Sequence, residues 1–140
     1  MKKSLVFVYG SLKRGFSNFG ILNGATFKGA HTTGVNYTMY SLGGFPGVVA
    51  RGDTSIQGEV FEVDEAHMRA LDRLEGVPSF YTRHIIQTSF GPAWMYMLSP
   101  EYIKRADLHN FPVVTGGRWT AGQKIERKPR LKSNDLKELL

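Results

Sequence analysis

"LVFVYGSLKRG" (Leu5–Gly15) decides how the chain is read. Val6, Val8 and their apolar neighbours form a short β-rich run, and Gly10 ends it. The apolar run is too short for a signal-peptide core and has no small-residue cleavage site, so it reads as a first strand. The turn after this strand is less ordinary. Gly10 permits either positive φ or a close backbone approach. The N–H groups of Gly10, Ser11 and Leu12 are then in a position to converge as an anion-binding nest, and Ser11 adds a hydroxyl. Lys13 and Arg14 are expected to raise the positive potential nearby. An ordinary strand-ending turn is the competing reading. A phosphate-binding loop fits poorly: Gly10, Gly15 and Ser17 have the spacing, but Phe16 occupies the lysine position. Ser11 lacks the nucleophile-elbow context of a hydrolase serine.

Outward from this turn the chain is rich in glycine and short strands. A β-rich stretch runs from about Ala25 to Leu42, broken at Gly29 and Gly34, after a helical turn within Phe16–Asn23. Gly43–Val49 carries turn chemistry around Pro46 and Gly47. Ile56–Val63 alternates Ile56, Gly58 and Val60 against Gln57, Glu59 and Phe61, a strand pattern. "FYTRHIIQTSF" and "AWMYML" read as two strands joined around Gly91–Pro92. The pattern is α+β, with a small mixed β-barrel or strongly bent sheet and flanking helices.

One helix is clear, from Asp64 to Glu75. Asp64 suits the N-cap, Glu65 the first turn, and Gly76 the position after the C-cap. At roughly 100° per residue, His67, Met68, Leu71, Leu74 and Glu75 share one arc, with Arg69 and Arg73 opposite. Glu75 thus points along the apolar face at the negative end of the helix dipole. Both the dipole and burial disfavour its ionised form and raise its pKa. A raised carboxyl pKa is what an acid/base working near neutrality requires. The alternative is a structural Glu75 paired with Arg83, Arg73 or a backbone N–H. Asp72, at the edge of the arc, is the weaker carboxylate candidate, and His67 reads as a half-buried helix residue.

The chain has 140 residues, 41% apolar and 21% charged, which suits one domain with a real core. No run is long enough to span a bilayer as a helix. The absence of cysteine removes disulfide, thiolate and Cys-ligated zinc chemistry and fits a cytoplasmic setting. The formal charge is +6. Six basic residues from Lys124 to Lys137 stand against Glu126, Asp135 and Glu138, so the tail supplies three of those charges. The expected division is a domain over residues 1–122 and a basic extension over 123–140, helical at its end. A solvated tail is the simple reading, with nucleic-acid binding as a rival.

Together, "VFVYGSLKRG", "FPGVV", "GEVFEVD" and "LDRLEGVPSFYTR" resemble the gamma-glutamylcyclotransferase-like family, most closely its short gamma-glutamylamine cyclotransferase branch. The resemblance runs from about Leu5 to Leu98. It implies a small mixed barrel with flanking helices. It also implies that Tyr9, Gly10, Ser11 and Leu12 hold the α-amino-acid end of a substrate and that Glu75 is the catalytic acid/base. Tyr81 lines the pocket on this reading, and Arg83 is structural. The implied reaction closes a γ-glutamyl amide on itself to give 5-oxoproline and a free amine, with no metal or other cofactor. The turn amides then grip either the α-carboxylate or the developing oxyanion. The implied partner is the small γ-glutamyl molecule, with no membrane. A non-catalytic small-anion binding module using the same cavity is the alternative. Oligomeric state and the amine's identity are not legible.

Overall fold

In the computed structural model, residues 2–120 are described. The basic extension expected over residues 123–140 lies outside them. β1 (Ser4–Val8) buries three consecutive residues, Val6, Phe7 and Val8. Successive side chains of a strand point to opposite faces, so both faces of β1 must be covered. They are. β1 is the central strand of a five-stranded sheet that also contains β2 (Thr26–Thr32), β5 (Gln57–Val63), β6 (Tyr81–Thr88) and β7 (Gly91–Leu98). The strand order is β2-β5-β1-β7-β6. Only β1 and β7 run parallel, with Val6 opposite Trp94 and Phe7 opposite Met95; the other pairs are antiparallel.

The sheet separates two apolar layers. Val6, Val8, Phe61, Val63, Tyr96 and Leu98 face α1 (Glu65–Leu74), which contributes Met68 and Leu71. Phe7, Tyr9, Val60, Met95 and Met97 face the other way. That second layer is closed by Met39 and Val48 of a separate hairpin, β3 (Tyr37–Ser41) with β4 (Pro46–Thr54). The alternation read in Ile56–Val63 holds in part: Ile56, Gly58 and Val60 are buried and Gln57 is exposed, but Phe61 on the Gln57 side is buried as well.

The α+β class stands, but the sheet does not close. β2 and β6 are its two edges, and the β3–β4 hairpin forms its own sheet. The architecture is therefore an open, bent sheet rather than a sealed barrel. A second correction concerns Gly43–Val49. The turn occupies Leu42–Phe45, closed by Leu42 N–H donating to the Phe45 carbonyl at 2.9 Å, and β4 starts at Pro46. Proline is tolerated at the first residue of a strand, where no ladder donor is needed. A short helix, α2 (Pro100–Arg105), comes after β7; Ser99 caps it by accepting from Tyr102 N–H. The helical turn expected within Phe16–Asn23 is a 3-10 turn over Phe19–Leu22.

α1 has the expected punctuation. The Asp64 carboxylate accepts from His67 N–H at 2.8 Å, and His67 Nδ1 accepts from Asp64 N–H at 3.2 Å. With Nδ1 accepting, His67 Nε2 carries the proton and donates to the Asn23 carbonyl at 2.8 Å. Glu75 is the C-cap, and Gly76 at φ +61° turns the chain out of the helix.

The closest backbone approach in the sheet is at Gly58. A Cβ there would lie 2.4 Å from the Val8 carbonyl oxygen and 2.7 Å from the Phe7 ring. Gly58→Ala is predicted to lower the unfolding free energy by about 1–3 kcal/mol through overpacking. Urea denaturation measures this, and an unchanged midpoint would contradict the stated packing of β1 on β5.

Candidate active site

A cavity of about 380 Å³ opens where the end of β1, the end of α1 and the β3–β4 turn meet. Gly10, Ser11 and Leu12 line one side and Glu75 another. Tyr9, Tyr81 and Tyr96 also line it, and all three are buried. Tyr9, Gly10, Ser11, Leu12, Glu75 and Tyr81 therefore border one space, whereas Asp72, the weaker carboxylate candidate, does not.

The turn is built by local hydrogen bonds. Lys13 N–H donates to the Gly10 carbonyl at 3.1 Å, and Asn18 N–H donates to the Ser11 carbonyl at 2.8 Å. The Asn18 side-chain amide donates to Ser11 Oγ at 2.8 Å. These bonds use carbonyls and the hydroxyl oxygen as acceptors. Among the described residues, the N–H groups of Gly10, Ser11 and Leu12 are left without a protein acceptor. Gly10 has no positive φ. It is needed for space: a Cβ would stand 3.0 Å from Pro46 Cγ, which also lines the cavity.

Lys13 and Arg14 are not where their sequence position suggests. Lys13 is buried, its ammonium donating to the Trp119 carbonyl at 2.7 Å and lying over the Phe16 ring. Burial lowers its pKa. Arg14 N–H donates to Glu59 at 2.8 Å, and the guanidinium lies over Phe27. Neither side chain borders the cavity. The positive character of the turn comes from its amides alone.

Glu75 is half-buried, and burial pushes its pKa from 4.5 up to about 7. Among the described residues its carboxyl has no ion pair and no hydrogen-bond donor. The cation that would otherwise neutralise it is taken. Arg83 Nε lies 3.1 Å from Asp72 Oδ1, and its guanidinium covers the Trp94 ring. Asp72 also accepts from the Tyr96 hydroxyl at 2.6 Å. The weaker carboxylate candidate is thus a tether, and Arg83 is structural. The two nearest phenols are committed elsewhere too. Tyr9 donates to the Tyr96 carbonyl at 2.7 Å, and Tyr81 donates to the Pro46 carbonyl. Burial, reinforced by the neighbouring Glu75, raises the pKa of both. They remain neutral, and no proton of theirs is free to stabilise the Glu75 carboxylate. Among the described residues that border the cavity, Glu75 is the one acid or base that titrates near neutrality.

Sequence reading missed Tyr96, Asn18 and the apolar mouth formed by Phe45, Leu74 and Phe80. A tyrosine between two methionines in "AWMYML" was a usable signal for Tyr96. The mouth depends on contacts between distant segments and left no local signature.

Comparisons with known proteins bear on the family of the chain. Residues 6–121 match the family described as "Gamma-glutamyl cyclotransferase, AIG2-like". A Vibrio cholerae protein provisionally named gamma-glutamylcyclotransferase is 42% identical over 115 residues, 82% of this chain and 94% of its own. The gamma-glutamylaminecyclotransferase of Rattus norvegicus is 37% identical over 92 residues, 59% of this chain and 61% of that protein. The solution structure of the Escherichia coli protein ytfP superimposes with a TM-score of 0.63 at 35% identity, covering 82% of this chain and 95% of the other. The chain therefore belongs to the gamma-glutamyl cyclotransferase, AIG2-like family.

Proposed function

We propose that this protein cyclises a γ-glutamyl amide to 5-oxoproline and a free amine, with Glu75 as the general acid/base. One observation carries the reading. A carboxyl whose pKa is raised to about 7 borders the same cavity as three unpaired amides and has no ion pair among the described residues.

The substrate's α-amine attacks its own γ-carbonyl carbon. The C–N bond to the leaving amine then breaks, and no water is consumed. An α-amine with pKa about 8 is mostly protonated at pH 7 and cannot attack in that form. Ionised Glu75 accepts its proton. The resulting acid delivers that proton to the leaving nitrogen as its C–N bond breaks, and the ring nitrogen sheds its remaining extra proton to the freed amine, so one side chain serves twice. Such proton transfer typically contributes about 10²–10⁴ in rate. A pKa near 7 suits both roles, because neither form is strongly favoured at neutral pH.

The amides of Gly10, Ser11 and Leu12 supply the anion site. Held by them, the α-carboxylate fixes the glutamyl chain in a curled conformation, which turns ring closure into an orientation problem already solved. Tyr9 and Tyr81 wall the glutamyl chain on this reading. The proposed steps use no cofactor.

Glu75→Gln is predicted to abolish turnover while substrate binding survives. 5-Oxoproline release measured by mass spectrometry checks this, and near-normal activity would overturn the role. Stoichiometric binding without product in the wild-type protein would instead favour a binding module.

The same substitution makes a stability prediction. The folded-state pKa of Glu75 lies above its unfolded value, so the folded state loses stability as pH rises from 4.5 to about 7. The cost levels off above that range, at no more than about 3 kcal/mol. Glu75→Gln removes it. The variant should match wild type near pH 4.5 and exceed it in Tm at pH 8. Equal Tm at pH 8 would contradict burial of the carboxyl. Gly10→Val should weaken substrate binding at least about tenfold by forcing the turn away from Pro46. Unchanged affinity in calorimetry would remove the turn from the site.

A further inference from the structure

The cavity has two chemically different ends. Its inner wall is formed by buried Tyr9, Leu12, Tyr81 and Tyr96, beside Glu75 and the turn amides. Its outer wall is apolar and solvent-exposed. Phe45 is 40% exposed and Leu74 is 41% exposed, and both border the same space as half-buried Phe80. Phe45 and Phe80 meet edge to face with ring centroids 5.7 Å apart, so the two rings form one continuous surface. Phe80 also meets Tyr102 of α2 at a tilt, with ring centroids 4.4 Å apart, which backs it from behind.

Among the described residues, no cation borders this end. Lys13, Arg14 and Arg83 are held by Trp119, Glu59 and Asp72 respectively. Asp72 is already engaged by Arg83 and Tyr96. Among the described residues bordering the cavity, the one ionised side chain available at neutral pH is Glu75. A carboxylate on the leaving amine would meet no cation among the described residues and would lie near that glutamate. A second ammonium would be placed against phenylalanine and leucine. A charge taken from water without a partner is disfavoured, whereas apolar area buried on the rings is favoured.

Resting on the cyclotransferase reading above, we propose that the preferred substrates are γ-glutamyl amides of uncharged apolar monoamines, aliphatic or aromatic. The leaving group lies on Phe45, Leu74 and Phe80. As the C–N bond breaks, the leaving nitrogen takes the Glu75 proton, and the free amine departs through the mouth it already occupies. The discrimination comes from what the mouth lacks as much as from what it offers.

A synthetic series tests this with the intact chain. The γ-glutamyl methylamide, propylamide, isobutylamide and phenethylamide are compared by 5-oxoproline release. γ-Glutamylglycine is the carboxylate counterpart of the isobutylamide in shape. The 2-aminoethylamide is the ammonium counterpart of the propylamide. Expected is a kcat/KM that rises about threefold per added methylene. Each charged compound should fall at least about tenfold below its uncharged counterpart. Phe45→Ala, at an exposed position, should lower the ratio of phenethylamide to methylamide turnover at least about fivefold. A flat series, parity between either charged compound and its counterpart, or an unchanged ratio in Phe45→Ala would overturn the proposal and leave the cyclotransferase reading standing. Failure to turn over any member, charged or not, would overturn both.

Discussion

The site depends on a diverted ion pair. Glu75 and Asp72 lie three residues apart on one helix, and the sequence offers Arg83 as a partner for Glu75. Arg83 serves Asp72 instead, at 3.1 Å. The Tyr96 hydroxyl closes on the same carboxylate, and the guanidinium is held flat over Trp94. The consequence is a division of labour between two acids. Asp72 has its charge satisfied and anchors α1 to β6 and β7. Glu75 keeps a half-buried carboxyl with no counter-ion among the described residues, and burial lifts its pKa to about 7. Had Arg83 paired with Glu75, the charged form would have been favoured and the pKa lowered. The cavity would then hold a permanent carboxylate rather than a group poised between base and acid.

The positive side of the cavity is equally indirect. Two basic residues come directly after the Gly10–Leu12 turn in sequence, yet neither faces the cavity. Lys13 stitches the turn to Trp119, and Arg14 stitches it to Glu59 of β5. Their contribution is rigidity. On the proposed reading, a turn held by Asn18 on one side and by these two contacts on the other presents its amides without reorganisation. Fixed amide dipoles suit a zwitterionic glutamyl end better than a mobile lysine would, because a free ammonium beside Glu75 would depress its pKa and spoil its use as an acid.

Much of this is legible in the sequence. β1, β5 and α1 are readable because their periodicity is strong and their caps are local: Val6–Val8 for a covered strand, Ile56–Val60 for alternation, Asp64 and Gly76 for the helix ends. Glu75 is readable because helix geometry alone puts it on the apolar arc. The features that escape a sequence reading depend on partners far along the chain. Pro46 and Gly47 look like a turn, but β4 begins there, with Pro46 opposite Ser41 and Gly47 opposite Tyr40 of β3. Ser99–Pro100 is the exception, a local helix start whose signal is weak because α2 spans only six residues. Frequent glycines and short strands suggest closure into a barrel, whereas among the described residues the sheet stays open with β2 and β6 at its edges. The directions of Lys13 and Arg14 are not recoverable from the turn's own composition, since Trp119 and Glu59 decide them.

The central claim is that an unneutralised carboxyl at the end of α1 titrates near neutrality. A carbon-detected NMR titration of the Glu75 side-chain carboxyl between pH 3 and 9, with Glu75→Gln to assign its resonance, measures this directly. The account predicts a midpoint near 7. A midpoint near the ordinary glutamate value of about 4.3 would contradict it. That result would mean that water or a counter-ion reaches the carboxyl, and that the proton transfer at its centre lacks the group it requires.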